Sequence, residues 1–313
     1  MNTDPIHRTM TTREWVMLIV LSVLWGGSFF FVEIGVRNLA PVTVVWMRVS
    51  LAALALLIIL QASGRTPKRL FQFWPAFAGM AILNNVIPFM AFAWGQTQIA
   101  SGLAAILNAT TPFFTVIVAH FLLPDENASW RHVLGVLVGV IGVVLIFSDD
   151  LGMGATDNAI WGQLACIGAA ISYGFAGWFG RRFRQLDVTP IETAAGQVTA
   201  SSVILLLPML LLGAPEMLLS QSLPVWGALL GLALVSTAFA YILFFRILAT
   251  AGATNIMLVT FLVPASAILL GATFLSETLT GTDYAGLVVI GLGLAVIDGR
   301  PFAVFRRALQ RLA

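Results

Sequence analysis

Long apolar runs recur along the whole chain, separated by short polar stretches, and none shows the strict alternation of a half-buried strand. Each run holds close to 20 residues, which is enough to cross a hydrocarbon core of ~30 Å as a helix. Helices are favoured because they satisfy every backbone hydrogen bond within the span. We therefore predict an all-α membrane protein with ten transmembrane helices, at residues 15–34, 43–60, 73–95, 102–123, 130–147, 159–180, 190–212, 224–246, 254–275 and 280–297.

The composition excludes several classes of protein. Of 313 residues, 59% are hydrophobic and 10% are charged, whereas a soluble domain has about 25% charged residues. A soluble enzyme is therefore excluded. The net charge of +2 does not indicate a nucleic-acid partner, because no basic patch contains interleaved aromatic residues. Cys166 is the only cysteine, so we expect no disulfide framework, no cysteine-based metal site and no cofactor.

The basic residues predict the orientation. With the N-terminus inside, the predicted inner segments contain all of the 16 Lys and Arg residues except Arg37 and Arg48. Cytoplasmic loops of membrane proteins carry such an excess of positive charge. We therefore expect a cytoplasmic N-terminus over residues 1–14 and a basic cytoplasmic tail over residues 299–313, with lipid around the protein.

The two halves of the chain resemble each other in order. The matching pairs are Pro41 with Pro190, Trp74 with Trp226, Gly79 with Gly231, and Pro112 with Pro264. The last span of each half also aligns, GVLVGVIGVVLI from Gly135 against GLVVIGLGLAVI from Gly286. Five spans is an odd number, so the second copy is inverted in the membrane relative to the first. The predicted repeats are residues 15–150 and 151–298, and transporters of this kind bind substrate where the halves meet.

Polar, aromatic and proline residues near mid-membrane are the candidates for a substrate cavity, because polar groups are expensive there. These candidates are Trp25, Ser28, Asn84, Asn85, Pro88, Asn108, Pro112, Tyr173, Trp178, Thr237, Tyr241 and Pro264. Paired interruptions such as Pro112 and Pro264 point to a central transporter site. Helix kinks for the prolines, and interhelical hydrogen bonds for the serines and threonines, are the structural alternatives.

Charged residues are absent from the predicted centres of all ten spans. Glu33 and Arg48 lie toward the outer ends of the first two spans, and we predict that they form a structural ion pair. A cavity without charge favours a neutral or zwitterionic substrate. The available amide, hydroxyl and aromatic groups suit an amino acid with an apolar or aromatic side chain.

Three segments carry a family resemblance: WGGSFFFVEIGVRNLAPVTVVWMR, TPFFTVIVAHFLLPDE and VPASAILLGATFLSETLTGTDYAGLVVIGLGLAVI. They resemble the drug/metabolite transporter superfamily, specifically the ten-helix EamA-type exporters, and are most similar to amino acid exporters of the YddG type. The resemblance implies export without ATP, in a bacterial inner membrane. The turn Pro124-Asp125-Glu126 departs from the family pattern, in which Gly-Glu is more usual, whereas Leu275-Ser276-Glu277 follows it.

We therefore predict a secondary transporter that exports small neutral or zwitterionic metabolites by alternating access. Efflux of drugs or other metabolites by proton antiport is the alternative. An intramembrane enzyme is disfavoured because the three histidines lie far apart in the sequence, and a channel needs a ring of charges or carbonyls. The glycine rows Gly135-x3-Gly139 and Gly291-x-Gly293 fit packing within a monomer, with a dimer face as the alternative.

Overall fold

The computed structural model describes residues 10–65, 67–122, 129–152, 157–256 and 258–298. Among these residues, eight helices are long and apolar enough to cross a membrane, and two shorter apolar helices follow them, so the predicted fold class is confirmed. We label them α1 (Thr12–Val36), α2 (Pro41–Ala62), α3 (Trp74–Gly95), α4 (Ser101–Leu122), α5 (Trp130–Gly152), α6 (Asp157–Gly180), α7 (Pro190–Leu212), α8 (Leu223–Leu230, Gly231–Phe239 and Ala240–Ile256), α9 (Val259–Phe274) and α10 (Gly281–Asp298). Residues 1–9 of the tail predicted over 1–14, the predicted tail at 299–313 and the turn at 124–126 lie outside the described residues.

Capping residues fix where two of the odd-numbered helices begin. The backbone N–H of Thr11 donates to Glu14 at 2.7 Å, and the N–H of Glu14 returns a bond to the Thr11 hydroxyl at 3.3 Å. Thr189 and Glu192 form the same capping box at the start of α7. Each box satisfies backbone donors that a helix start leaves free. Successive spans alternate in direction, so the odd-numbered helices begin at one end of the bundle. We call it the basic end, because Arg65, Lys68, Arg69, Arg181 and Arg182 lie there, and the opposite end the far end.

The helix contacts repeat in the two halves, as a two-fold relationship requires. Helix α1 packs on α9 as α6 packs on α4, and α3 packs on α6 as α8 packs on α1. Helix α2 packs on α8 as α7 packs on α3, while α5 with α10 and α2 with α7 are self-related pairs. The set of contacts therefore stays the same when every helix is exchanged for its counterpart in the other repeat. This is the architecture of two inverted five-helix repeats.

Glycines bring α5 and α10 into close backbone contact. A methyl group on Gly135 would overlap with the carbonyl of Gly293, and one on Gly142 would overlap with the carbonyl of Gly286. These glycines thus serve packing within the chain, because they leave room for the backbone and the isoleucine side chains of the facing helix. Gly291 is different, because a methyl group there would meet open space.

Helices α3 and α8 each contain a widened π-helical segment at corresponding places in the two repeats. The segments are Ile82–Val86 in α3 and Gly231–Phe239 in α8. In the second segment the Thr237 hydroxyl donates to the carbonyl of Leu232, five residues earlier, at 2.8 Å. Segments of this kind occur frequently at functional sites. The apolar pattern of these spans predicts only regular α-helix.

Candidate functional site

A central cavity of about 870 Å³ lies between the two repeats. Aromatic side chains from both repeats form much of its wall, and they pack against one another. The rings of Trp25 and Phe244 are 5.5 Å apart, and Phe92 lies 5.4 Å from Phe29 and 6.3 Å from Tyr173. Such a wall offers a large apolar surface with few polar groups, as in most small-molecule sites.

Among the described residues, the cavity wall is exposed at one end and buried at the other. At the basic end its wall includes Gly177 and Pro190, which are both exposed. At the far end it finishes at Val32 and Gln96, which are both buried. The structure therefore has the cavity open toward the basic end and closed toward the far end.

The structure brings some of the predicted cavity residues together and leaves others behind the wall. Those on the wall are Trp25, Ser28, Asn84, Asn108, Tyr173, Thr237 and Tyr241. Those not on the wall are Asn85, Pro88, Pro112, Trp178 and Pro264. Asn85 is fully buried instead, where it donates to the Ser201 hydroxyl and accepts from the Tyr241 hydroxyl, both at 3.0 Å. It positions Tyr241, which does face the cavity.

The two predicted proline interruptions act one turn away from the cavity. Pro112 and Pro264 are buried, whereas Asn108 and Thr260, four residues before each, lie on the wall. Proline has no N–H to bond the carbonyl four residues earlier, so neither proline can donate a backbone hydrogen bond to the wall residue four positions before it. Helix α4 breaks between Asn108 and Thr111, whereas α9 continues through Pro264.

The π-helical segments supply polar groups to the wall at the depth where the repeats meet. The Asn84 amide donates to Gln197 Oε1 at 2.9 Å and to the Tyr241 hydroxyl at 3.4 Å. In the other repeat, Ser236 and Thr237 face the cavity, and the buried Ser236 hydroxyl has no hydrogen-bond partner among the described residues. The segments therefore bring an amide and two hydroxyls to the cavity.

The predicted ion pair between Glu33 and Arg48 is wrong. Glu33 pairs with Arg37 one helical turn away, with Arg37 Nε 2.9 Å from Glu33 Oε1. Arg48 faces α8, where its Nε donates to the Thr237 hydroxyl at 2.9 Å, and its guanidinium lies 3.6 Å from the centre of the Phe89 ring. The physical reason is that α2 begins at Pro41, which places Arg48 about two turns inside the helix.

Arg48 gives the cavity a positive charge, which corrects the expectation of a wall without charge. Arg48 is only 9% exposed and lies on the wall. The ionisable groups that interact with it electrostatically are Tyr173 and Tyr241, and none of its ion-pair distances to a described carboxylate is within 4.0 Å. The repeat carries a signal that could have found it. Pro41 matches Pro190, and the same offset places Arg48 opposite Gln197, a polar residue at the same depth.

Hydrogen bonds between the repeats close the far end. The Glu277 carboxylate, in the connection from α9 to α10, accepts from the Ser101 N–H at 3.0 Å, the Ser101 hydroxyl at 2.8 Å and the Gly102 N–H at 3.2 Å. We call this cluster the far-end tie. Beside it the Gln96 amide donates to the Phe29 carbonyl at 2.8 Å. The tie joins the start of α4 in the first repeat to the second repeat.

The arrangement suits non-covalent binding of a small polar molecule with an apolar part. In the part of the chain that the structure describes, no group of three or more His, Cys, Asp and Glu side chains could hold a metal ion. The polar groups on the wall are amides, hydroxyls and guanidinium groups. Such groups orient a ligand by hydrogen bonds and charge.

Comparisons with known proteins agree with this architecture. The model of the EamA-like transporter family matches residues 13–148 and 160–298. A transporter of Bacillus subtilis named YoaV is 24% identical over 282 residues, covering 89% of this chain and 95% of that protein. A protein of Escherichia coli K12 named "Probable amino-acid metabolite efflux pump" is 24% identical over 298 residues, covering 92% and 95%. One solved crystal structure has a TM-score of 0.66 at 19% identity, covering 93% of this chain and 98% of that one.

Proposed function

This chain belongs to the EamA-like transporter family, and on that premise we propose that it exports amino acids with apolar or aromatic side chains by alternating access. The observation that carries the proposal is the central cavity, which lies between two inverted repeats and is open at one end only. Rocking of the repeats about such a cavity would close the basic end and open the far end.

The chemistry of the wall supports this substrate class. A cavity of about 870 Å³ falls within the usual range for small-molecule sites, roughly 300–1,000 Å³. The rings of Trp25, Phe29, Phe92 and Phe244 offer apolar surface, while amides and hydroxyls offer hydrogen bonds to a zwitterionic head. The relative named as an amino-acid metabolite efflux pump supports the same class.

The distribution of basic residues supports the direction. If the basic end faces the cytoplasm, as the excess of positive charge predicts, the open cavity loads from the cytoplasm. Substrate would then leave through the far end once the far-end tie opens. The same orientation places both termini in the cytoplasm.

Transport by the reconstituted protein tests the proposal. We expect liposomes containing the full chain to show saturable counterflow of labelled L-phenylalanine and L-leucine. Facilitated export predicts the same rate with and without a proton gradient, whereas a rate that rises with the gradient supports proton antiport instead. Saturable transport of lipophilic cations but of no amino acid would overturn the proposed substrate class.

Two glycines of α6 provide a matched pair of variants. Gly177 lies on the cavity wall, where an added methyl group makes only ordinary contact, 3.7 Å from Thr115. Gly168 lies off the wall and has open space for a side chain. We expect Gly177→Phe to fill the cavity and reduce counterflow at least about tenfold, since a ring would occupy the substrate's volume, and Gly168→Phe to behave as the natural chain. Equal rates for both variants would show that substrate does not use this cavity.

A further inference from the structure

Arg48 has hydrogen-bonding capacity that the described residues do not use. Its Nε donates to Thr237, but among the described residues no acceptor bonds either of its terminal nitrogens. The guanidinium is buried, lies on the cavity wall and rests on the face of Phe89. Four N–H groups of a charged side chain therefore have no acceptor from the described residues.

An arginine in this position is costly unless something compensates its charge. Ionisable groups inside a membrane usually pair with one another or face a water-filled cavity that serves function. Here the Phe89 ring and the Thr237 hydroxyl compensate the charge only in part, because neither carries a negative charge. The missing component is an anion, and the cavity is the side from which it can arrive.

The other repeat makes a useful comparison. Gln197 occupies the position in α7 that corresponds to Arg48 in α2, and its Oε1 accepts from Asn84 at 2.9 Å. The contact of Gln197 in α7 with Asn84 in α3 corresponds to the contact of Arg48 in α2 with Thr237 in α8. A neutral side chain is sufficient for the interhelical hydrogen bond at this depth. The charge of Arg48 therefore serves a purpose beyond joining two helices.

We infer that Arg48 is the carboxylate-binding residue of the transport site, an assignment that rests on the proposed export of amino acids. The two terminal nitrogens of a guanidinium match the two oxygens of a carboxylate in a planar, bidentate contact. We expect the α-ammonium of the same substrate to contact Asn84 and Tyr173, which line the same cavity. Among the described residues, no donor bonds the Asn84 side-chain oxygen or the Tyr173 hydroxyl. The site therefore requires a carboxylate on the substrate, and it rejects a compound in which an amide replaces that carboxylate.

Competition binding to the purified full chain tests the assignment. The probe is labelled L-phenylalanine, and the unlabelled competitors are 3-phenylpropionate, which has the carboxylate without the ammonium, and phenylalaninamide, which lacks the carboxylate. For the natural chain we expect L-phenylalanine and 3-phenylpropionate to compete at least about 30-fold better than phenylalaninamide. The reason is that bound phenylalaninamide would leave the buried charge of Arg48 unpaired.

Three variants show whether Arg48 causes the preference for acids over the amide. Arg48→Gln should remove the preference for acids over the amide, and Arg48→Lys should retain it in part, because lysine keeps the charge but not the bidentate geometry. Arg131→Gln, at an exposed position of α5, is the control that removes one positive charge away from the cavity. If Arg48→Gln does not elute as a folded monodisperse protein, the comparison of Arg48→Lys with the control decides.

The outcomes separate this inference from the proposed function. Direct binding of labelled 3-phenylpropionate that depends on Arg48, without binding of labelled L-phenylalanine, would support the carboxylate site and overturn amino acid export. Binding of L-phenylalanine with the same acid-to-amide ratio in the natural chain and the Arg48→Lys and Arg48→Gln variants would overturn the carboxylate site and leave export intact. Failure of the natural chain to bind any of the three compounds would overturn both.

Discussion

The far-end tie predicts that Glu277 controls which end of the cavity is open. Its carboxylate accepts three hydrogen bonds from Ser101 and Gly102 at the start of α4. All three join one repeat to the other, so they must break when the far end opens. Replacing Glu277 by alanine should therefore favour the state with an open far end.

The structure gives the size of the effect. Glu277 acts as a capping group for α4 from outside the helix, and loss of a capping side chain costs about 0.5–2 kcal/mol. The acceptor is charged and half-buried, so we take the upper end, about 2 kcal/mol. That is a shift of about 30-fold in the ratio of the two states. Glutamine keeps one accepting oxygen, and we expect about half the energy and about a fivefold shift.

Distances between spin labels at the far end measure the shift. Thr97, between α3 and α4, and Thr278, between α9 and α10, are exposed and lie on either side of the tie. The natural chain has one cysteine, the buried Cys166, so labels can be placed in a Cys166→Ala background. Double electron–electron resonance should show a population with a longer distance between the labels. This population should be largest in Glu277→Ala, smaller in Glu277→Gln and smallest in the natural chain.

Glu216 provides the control for this prediction. It is an exposed carboxylate in the connection from α7 to α8, also at the far end, and Glu216→Ala should leave the distances unchanged. If folded Glu277→Ala gave the same distance distribution as the natural chain, the tie would be a helix cap without a role in gating.

Two further predictions concern stability. Gly135→Leu should lower the melting temperature by at least about 5 °C, because a side chain at that position overlaps with the backbone of Gly293; Gly291→Leu should leave it unchanged, and equal stability of the two variants would contradict the packing described for α5 and α10. Thr189→Val removes the hydroxyl of the capping box with Glu192 and should cost about 1 kcal/mol, measured by thermal unfolding in detergent; no measurable shift would show that water replaces the cap.

Much of the fold could be predicted because its main determinants are local. A span needs only a long apolar run, and the structure has helices at all ten predicted places. The inverted relationship followed from an odd number of spans and from ordered matches such as Pro112 with Pro264. Asn84 and Tyr241 were found for a similar reason, since polar groups in the middle of an apolar run need partners or water.

The rotation of each helix about its axis could not be predicted from such runs. A span that is apolar on every side gives no sign of which face meets the cavity. Arg48 was therefore predicted to pair with Glu33 of α1, although its side chain faces α8. Prolines are visible in the sequence, and the paired breaks were expected there. The π-helical segments in α3 and α8 have no proline inside them, so that local signal is missing. The Leu83 carbonyl accepts from the Ser172 hydroxyl of α6 at 2.7 Å, a contact between helices that no local pattern predicts.

The close contact of α5 with α10 has a consequence for synthesis. Its two glycine rows are about 150 residues apart in the chain, which corresponds to roughly 8 to 30 s of translation. During that interval α5 has already been made, but its most extensive partner has not. The backbone at Gly135 and Gly142 therefore lacks its packing partner until α10 is made, and α10, from the second repeat, completes the packing of the first repeat.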